Sequence, residues 1–558
     1  MIDGLVLPDA GVPRRGGVLR YFGPGGMDHI DPACASYAFS HQILRLFTRQ
    51  LFTYPTTAGD DALTPVPDLA VAVPGPGLVR RVELRPGVYW DTDPPREVTA
   101  ADVVRGLKRL ACPVTGTGAL GYFTSTVRGM AEFADGYRAA IERDGATPST
   151  AAAYQNSHEV SGLRVLDERR LEIELVRPAN DIVNILATLY ASPAPVEYDA
   201  VVPGGPGFAD VVRSCGPYRL TGYRHGEHLA MRRHPAWNPA ADPLRAAWID
   251  GIEVRMARVG DDVVRAEVES GRADLSWGAP VISHDRVSPD IDRHVGYALN
   301  PYLVFNLRGP RPELRDPAVR RALAVAVDRS ALVGVLDRMD LGTVTETAYG
   351  VIPPGNVGHR PARATAGQGD PDRARALLKA LGHNGIRLRV LYRMETPHDD
   401  LAHSYAGDLR AAGAEVEMIR IEHADEYYRI LQDPARSLAG DWDVTAPSWT
   451  PDWFGNNGRT CVQPLFESPS GAGSCNYGGY SDPAVDKMIA EALSEPDPAR
   501  SGELWHAVDR TVCDAAVVVP LLVCEPTILH VTSPRVRNAI PMPHVDRWYD
   551  AANLWLAG

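Results

Sequence analysis

The chain has 558 residues, of which 45% are hydrophobic and 23% are charged, and its formal net charge at pH 7 is −13. A chain of this length exceeds what one hydrophobic core supports, so we expect two or three domains. The acidic balance argues against nucleic acid as a partner, since phosphate binding needs a basic face.

The N-terminal stretch, MIDGLVLPDAGVPRRGG, lacks the apolar segment that follows the basic start of a signal peptide. Two alternatives stay open: a cytoplasmic protein, or a mature or truncated form of an exported one. No run approaches the ~20 apolar residues of a membrane helix. The longest run, 515–523, contains Pro520 and is predicted to be a buried strand.

Strand and helix signals alternate along the chain, which predicts an α/β architecture. The predicted strands and hairpins lie at 16–23, 78–90, 163–178, 216–238, 249–257, 386–393 and 515–523. The predicted helices lie at 38–51, 100–111, 261–270, 317–333, 401–412 and 484–495. Two of these helices begin with an aspartate cap followed by proline, at Asp316-Pro317 and Asp482-Pro483, and Thr99 is the predicted N-cap of another.

Signatures of catalysis are missing from the sequence. It contains no Walker A, HExxH or GxSxG pattern. GTGALG at 116–121 matches a dinucleotide-binding glycine pattern but follows no strand, so it is predicted to be a loop. Asp91 and Asp93 stand beside Pro94-Pro95 and are better explained as turn residues than as a general acid/base pair.

The segment SWTPDWFG (448–455) places one carboxylate, Asp452, among aromatic side chains. It follows a strand-like stretch and contains Pro451 and Gly455, so Asp452 is predicted in a loop after a strand, where α/β proteins place ligands. A carboxylate flanked by the indoles of Trp449 and Trp453 suits an ammonium group through charge pairing and cation–π attraction. An Asp turn between two core tryptophans remains the alternative.

Seven cysteines occur, and none lies in a CxxC pair or a zinc-ligand spacing. Cys461 and Cys475 flank a Gly/Pro/Ser-rich segment. They form either a disulfide, which would indicate an oxidising compartment, or two free thiols.

Five sequence blocks, in order, carry a resemblance to a known family. They are GGVLRYFGPGGMDHIDPA (16–33), LRPGVYWDTDPPREVTAADVVRGLKRL (84–110), SCGPYRLTGY (214–223), YLVFNLRGPRPELRDPAVRRALAVAVDR (302–329) and CNYGGYSDPAVDKMI (475–489). On these blocks the chain resembles the solute-binding proteins of the peptide/nickel/opine class, the extracytoplasmic receptors of ABC importers (extracellular solute-binding protein family 5, oligopeptide/dipeptide-binding type).

The resemblance implies a two-lobed, periplasmic-binding-protein-like α/β fold in which one lobe carries an extra domain. Lobe I would take 1–50, 181–299 and 522–558, with 51–180 as its extra domain. Lobe II would take 300–521. The lobes would close over a ligand as a population shift from an open to a closed state.

The resemblance also assigns a role to Asp452. In peptide-binding members, an aspartate in a W-x-x-D-type loop of the second lobe grips the free amine of the ligand, and Trp449 to Asp452 matches that pattern. Arg393, at the end of a predicted strand, could pair with a ligand carboxylate through its planar fork. Further ligand-lining residues implied by the resemblance are Ser36, Tyr37, Trp277, Phe305 and Asn306, each with core packing or simple surface exposure as the alternative.

The implied function is a non-enzymatic, monomeric, extracytoplasmic receptor, at the cell surface or secreted. It would capture a peptide or peptide-like solute and deliver it to an ABC permease in the membrane, without a cofactor or metal. Dipeptide, oligopeptide, modified peptide and oligosaccharide ligands all stay open. Two other hypotheses are a cytoplasmic biosynthetic carrier or enzyme on the same fold, and a glycosidase, which needs a second carboxylate near Asp452.

Overall fold

The structure is a computed structural model, and it describes residues 6–7, 10–57, 60–117, 119–278, 298–339, 343–361, 368–394, 396–422, 424–468, 475–526, 530–542, 545 and 547–557. The chain divides into two compact units. Unit 1 comprises Met1–His294 and Ile528–Gly558, and unit 2 comprises Val295–Thr527.

Among its described residues, the first part of unit 1 contains twelve strands and eight helices. The strands are β1 (Val18–Gly23), β2 (Phe52–Thr53), β3 (Val66–Pro67), β4 (Val79–Glu83), β5 (Tyr89–Trp90), β6 (Arg96–Glu97), β7 (Leu163–Val165), β8 (Arg170–Glu174), β9 (Tyr218–Arg224), β10 (His228–Arg233), β11 (Gly251–Met256) and β12 (Leu275–Ser276). The helices are α1 (Ala38–Phe47), α2 (Ala100–Leu110), α3 (Leu120–Thr124), α4 (Met130–Asp144), α5 (Pro148–Ser157), α6 (Ile182–Ile185), α7 (Phe208–Val211) and α8 (Asp261–Glu269).

The largest sheet described in unit 1 has the strand order β12-β1-β11-β10-β9. β1 runs parallel to β11 and β12, while β10 is antiparallel to β9 and β11. Leu19, Ile252 and Val254 are fully buried in the core on this sheet. The predicted hairpins at 163–178 and 216–238 are confirmed as the pairs β7–β8 and β9–β10.

One predicted hairpin is wrong. Alternation over 78–90 predicted two strands joined at Pro86-Gly87, but β4 pairs with β8, Val79 opposite Glu174, and β5 pairs with β6. The alternating pattern correctly indicated a strand with one buried face. It carried no information about the partner, which lies about ninety residues further along the chain.

Unit 2 contains eight strands and nine helices among its described residues. The strands are β13 (Ala298–Leu299), β14 (Tyr302–Phe305), β15 (Thr343–Thr347), β16 (Arg387–Arg393), β17 (Glu415–Ile421), β18 (Val444–Thr445), β19 (Val518–Pro520) and β20 (Leu522–Pro526). The helices are α9 (Pro317–Ala326), α10 (Arg329–Asp337), α11 (Pro371–Ala380), α12 (His398–Ala411), α13 (Ala424–Gln432), α14 (Pro434–Ala439), α15 (Gly458–Phe466), α16 (Pro483–Ser494) and α17 (Pro498–Asp514).

The central sheet of unit 2 has the order β17-β16-β18-β14-β19. β16 is parallel to both β17 and β18, whereas β14 is antiparallel to β18 and β19. The ends of β16 and β18 therefore meet the start of β14 at one edge of the sheet. We call this edge, where Arg393, Thr445 and Tyr302 lie, the carboxyl edge. A second sheet, β13-β20-β15, lies in the same unit.

The predicted helix caps are confirmed. The side chain of Asp316 accepts a hydrogen bond from Ala318 N at 2.8 Å, and Asp482 accepts one from Ala484 N at 2.8 Å. Thr99 and Asp102 form a reciprocal capping box at the start of α2. These signals are local, so they could be predicted without knowledge of the tertiary structure.

The C-terminal segment of the chain belongs to unit 1 and adds two strands, β21 (Val536–Arg537) and β22 (Trp555–Leu556), which form an antiparallel pair. Arg535 Nε lies 2.7 Å from Asp274 Oδ1, next to β12. The chain end is thus tied to the central sheet through an ion pair as well as through core packing.

Two of the sequence blocks that carry the family resemblance meet in a buried ion pair. Arg109, in α2, donates to both carboxylate oxygens of Asp31 at 2.7 and 2.6 Å. Asp31 also accepts from the backbone of Gly204 at 2.9 Å. A buried bidentate pair of this kind fixes the orientation of both segments.

A second buried charge cluster centres on Asp68. Arg49 Nη2 lies 2.7 Å from Asp68 Oδ1, and Arg245 Nη2 lies 2.6 Å from Asp68 Oδ2. Arg245 Nη1 also pairs with Asp242 at 3.0 Å. Burial alone would raise the pKa of Asp68, but Arg245 and Arg49 outweigh it and lower the pKa to about 2.

We predict that Asp68→Asn lowers the free energy of unfolding by about 3–5 kcal/mol, because it leaves two buried guanidinium groups without their shared counter-charge. The measurement is urea unfolding at pH 7. Asp144→Asn, which alters an exposed ion pair, is the matched control and should change stability by less than about 0.5 kcal/mol.

The wild-type protein should also lose stability that depends on Asp68 as the pH falls from about 4 to about 2, since the pKa of this group is depressed on folding. Asp68→Asn should lack that component. Equal unfolding free energies for the wild type and Asp68→Asn at pH 7 would contradict the role assigned to this carboxylate.

Candidate functional site

The segment 448–455 begins just beyond β18, at the carboxyl edge of unit 2. Trp449 forms an antiparallel bridge with Leu299: Leu299 N donates to Trp449 O at 3.0 Å and Trp449 N donates to Leu299 O at 2.9 Å. The segment is therefore tied by its backbone to β13. The prediction of a loop after a strand is confirmed by this geometry.

The two tryptophans of the segment have different environments. Trp453 is fully buried, and its Nε1 donates to Asn456 O at 3.2 Å. Trp449 is half-buried, and its Nε1 donates to Thr460 O at 2.7 Å. Trp453 therefore anchors the loop, whereas Trp449 keeps part of its ring accessible.

Asp452 is exposed. It takes part in polar or electrostatic interactions within the structure, and its negative charge reaches the thiols of Cys461 and Cys475. Burial, reinforced by Asp452, raises the pKa of Cys475 to about 12. The pKa of Cys461 is likewise raised by burial, with smaller contributions from Asp509 and Asp452. All seven cysteines are free thiols, so of the two alternatives for Cys461 and Cys475 the structure has the unbridged one.

Arg393, the last residue of β16, lies beside this loop. Its Nη2 donates to Ser448 Oγ at 3.0 Å and its Nη1 donates to Tyr428 Oη at 2.6 Å. The guanidinium carbon also lies 5.4 Å and 5.2 Å from the ring centres of Tyr427 and Tyr428. The carboxyl edge thus carries a buried cation, held by hydroxyl groups and aromatic faces.

His398 lies next to Arg393 and is itself uncharged, so it adds no second positive charge to the cluster. Its Nε2 lies 2.5 Å from Arg393 Nη2 and accepts a hydrogen bond. Burial, and then the charge of Arg393, lower the pKa of His398 to about 3. The imidazole is therefore neutral at physiological pH.

A buried hydroxyl lies at the same edge. Tyr302, the first residue of β14, is 1% exposed, and within the described part of the chain its Oη has no hydrogen-bond partner. Burial and the neighbouring Tyr428 raise its pKa, so the phenol remains protonated and can donate. A buried donor of this kind is a candidate to bind a ligand acceptor.

Phe305 and Asn306 lie at the opposite end of β14 from Tyr302 and are not brought to the carboxyl edge; that they line a ligand site stays a prediction. Phe305 is buried in the core. Asn306 Nδ2 donates to Ser437 O at 2.8 Å and to Trp442 O at 2.9 Å. Both side chains serve packing, because β14 is antiparallel to β18 and carries them away from the carboxyl edge.

The predicted residues of unit 1 form their own cluster. Asp28 accepts hydrogen bonds from the backbone of Ser36 and, at 3.1 Å, of Tyr37, and so fixes the start of α1. The ring of Phe39 lies 5.3 Å from both Tyr37 and Trp277. Trp277 is fully buried, whereas Tyr37 is 41% exposed. Tyr37 and Ser36 are accessible, and Trp277 supports them from the core.

Three residues at the carboxyl edge were missed by the sequence prediction: His398, Tyr427 and Tyr428. His398 follows Arg393 by five positions, which is a signal that could have been used. The adjacent tyrosines of α13 gave no local signal, because only the packing of α13 against β16 brings them to Arg393.

Comparison with solved structures identifies the fold. A chain described as clavulanic acid biosynthesis oligopeptide binding protein 2 superposes with a TM-score of 0.79 at 24% identity, covering 98% of this chain and 96% of that one. The Escherichia coli murein tripeptide binding protein MppA superposes with a TM-score of 0.74 at 19% identity, covering 98% and 99%. The predicted fold class, a two-lobed periplasmic-binding-protein-like α/β fold, is confirmed.

The chain belongs to the bacterial extracellular solute-binding proteins, family 5, whose middle-region model matches residues 64–461. The resemblance inferred from the five blocks is thereby confirmed, and the family is one of binding proteins. Among the described residues, no helix is both long and apolar enough to cross a lipid bilayer.

Curated relatives match part of the chain at a similar level of identity. The probable ABC transporter periplasmic-binding protein SapA of Escherichia coli is 26% identical over 383 residues, which is 66% of this chain and 65% of that protein. The periplasmic oligopeptide-binding protein OppA of Salmonella typhimurium is 23% identical over 477 residues, or 80% and 79%. The chain thus spans slightly less than two thirds of the length of SapA.

We predict that His398 makes stability depend on pH. The pKa of His398 is lowered on folding, so below about pH 6.5 the unfolded chain binds a proton at this residue and the folded protein does not. The free energy of unfolding therefore falls as the pH drops from 6.5 towards 3. Between pH 6.5 and pH 5, the wild type should lose about 1–2 kcal/mol more of its free energy of unfolding than His398→Gln loses.

Urea unfolding at both pH values measures this difference. The matched control is His403→Gln, because His403 is an exposed histidine on the same helix, and it should behave as the wild type does. Parallel pH profiles for the wild type and His398→Gln would show that the pKa of His398 is not lowered on folding.

Proposed function

We propose that the protein is an extracytoplasmic receptor that captures a peptide or peptide-like solute for an ABC permease, binding it without chemical change. The observation that carries the proposal is the exposed carboxylate of Asp452 beside the half-buried indole of Trp449 at the carboxyl edge. Family membership supports the class. Relatives named as binding oligopeptides support the type of solute.

The free amine of the ligand would pair with Asp452. An ammonium group gains a charge-assisted hydrogen bond from the carboxylate and cation–π attraction from Trp449. Because Trp453 and the Leu299–Trp449 bridge fix the loop, these groups are held in place before the ligand arrives. Preorganisation of this kind reduces the entropy lost on binding.

The remainder of the ligand would meet donors at the same edge. Arg393 is the proposed partner of a ligand carboxylate, reached together with the hydroxyls of Ser448 and Tyr428 that it already binds. Tyr302 Oη, buried without a partner among the described residues, would donate to a ligand carbonyl. In unit 1, we propose Ser36 and Tyr37 as accessible contact residues.

The division into lobe I (1–50, 181–299, 522–558), its extra domain (51–180) and lobe II (300–521) stays a prediction, as does closure of the lobes over the ligand. We propose that the receptor is monomeric and needs no cofactor. The family is one of binding proteins, which supports capture over the cytoplasmic biosynthetic and glycosidase alternatives.

The test uses an equimolar synthetic tripeptide library and the same library with N-acetylated termini, with binding to the full chain measured by native mass spectrometry. We predict that Asp452→Asn weakens binding of the free-amine library 10- to 100-fold, a loss of about 1.4–3 kcal/mol. N-acetylation should weaken binding to the wild type by a similar factor and should have little further effect on the variant.

Asp372→Asn, which alters an exposed acid on α11, is the matched control and should bind as the wild type does. Equal binding of the free and acetylated libraries would refute the amine-gripping role while leaving the receptor class intact. Absence of binding by either library would count against a peptide ligand.

A further inference from the structure

A second cavity in unit 2 is separate from the carboxyl edge. It has a volume of about 580 Å³ and lies between α10, strands β15 and β20, and the loop 348–361. None of the residues that line it belongs to the segment 448–455 or to the Arg393 cluster. It therefore needs its own explanation.

The loop 348–361, which forms one wall of the cavity, is fixed by hydrogen bonds to residues outside the cavity lining. Asp509 Oδ1 accepts from Val351 N at 2.8 Å. Asn457 Oδ1 accepts from Val357 N at 3.0 Å, and its amide donates to Asn356. A Cβ on Gly350 would lie 2.5 Å from Asp509, so only glycine permits this approach. The wall is preformed, as is usual for small-molecule sites.

The polar lining contains both signs of charge. Glu346, on β15, is an exposed carboxylate, and Arg360, at the end of the loop, is an exposed guanidinium whose Nη1 donates to His359 O at 2.9 Å. A second cation nearby, Arg329, is already engaged: its Nε donates to Pro520 O at 2.7 Å and its guanidinium lies over the Tyr349 ring. The side chains that face a ligand are thus balanced in charge.

His359 has a defined tautomer. Its Nδ1 lies 2.8 Å from Ile352 O, and a carbonyl oxygen only accepts, so Nδ1 carries the proton. In the neutral ring, Nε2 is then an acceptor. Together with Glu346 it provides two acceptors for an ammonium group, while Arg360 provides donors for a carboxylate.

The rest of the lining is apolar. Ile352 and Val523 are buried at the wall, and Pro353, Pro354 and Val333 add to it. Such a surface would contact a hydrocarbon side chain, and burying it would contribute roughly 25 cal/mol per Å².

We propose that this cavity is a second ligand site, specific for a small zwitterion with an apolar side chain, of the size and charge of a free hydrophobic amino acid. The ammonium group pairs with Glu346 and His359 Nε2, the carboxylate pairs with Arg360, and the side chain lies against Ile352 and Val523. The site goes beyond the proposed capture of a peptide at the carboxyl edge, and it does not depend on that capture.

The test uses L-phenylalanine as the probe, with 2-phenylethylamine and 3-phenylpropionate as analogues that lack the carboxylate and the ammonium group. Saturation-transfer NMR on the full chain measures the affinities. We expect each analogue to bind at least tenfold more weakly than L-phenylalanine, and Glu346→Gln to weaken L-phenylalanine binding at least fivefold.

Ser330→Trp fills the cavity from the exposed start of α10 and should abolish binding, with circular dichroism confirming that the variant folds. Asp372→Asn should bind as the wild type does. Asp452→Asn should also retain the amino acid, whereas Glu346→Gln should retain the tripeptide library.

Three results would overturn the second site. They are no detectable binding of L-phenylalanine at millimolar concentration, binding of either analogue as tight as that of L-phenylalanine, and loss of amino-acid binding in Asp452→Asn with retention in Glu346→Gln. The last would place the amino acid at the carboxyl edge, whereas failure of the tripeptide library alone would leave the second site standing.

Discussion

The buried carboxylate of Asp68 is the interaction on which unit 1 depends. It pairs with Arg49 and Arg245, which come from segments almost two hundred residues apart, and Asp242 is the second carboxylate that contacts both guanidinium groups. Removing one partner of such a cluster destabilises the protein by much more free energy than the formation of the cluster contributes to stability. The cluster therefore acts chiefly as a constraint, because only the native arrangement of these segments satisfies all three charges at once.

In unit 2 the corresponding constraint is strand direction. β16 and β18 are parallel and β14 is antiparallel to β18, so the end of β16, the chain after β18 and the start of β14 converge without any special contact. Arg393, Ser448 and Tyr302 reach one edge for this reason alone. The same rule explains why Phe305 and Asn306, only a few residues beyond Tyr302, are directed to the other edge, where they pack and hold turns.

Local signals made much of this predictable. Aspartate caps followed by proline placed α9 and α16 correctly, because a cap involves only neighbouring residues. The true partner of β4 was not predictable from alternation, since β8 lies beyond four helices. At the candidate site, the loop containing Asp452 could be predicted from Pro451 and Gly455. The enclosure of Arg393 by Tyr427 and Tyr428 could not, because it arises only when α13 packs against β16.

Two aspartates of this protein, Asp68 and Asp452, differ in where their carboxylates lie. In the segment SWTPDWFG, Trp453 is fully buried, whereas Asp452 is exposed. The negative charge of Asp68 is paired with the buried guanidinium groups of Arg49 and Arg245, so it is compensated inside the fold. The field of Asp452 extends instead to the thiols of Cys461 and Cys475 and to solvent. The loop that Trp453 anchors therefore presents a carboxylate at the protein surface, whereas the carboxylate of Asp68 serves the fold.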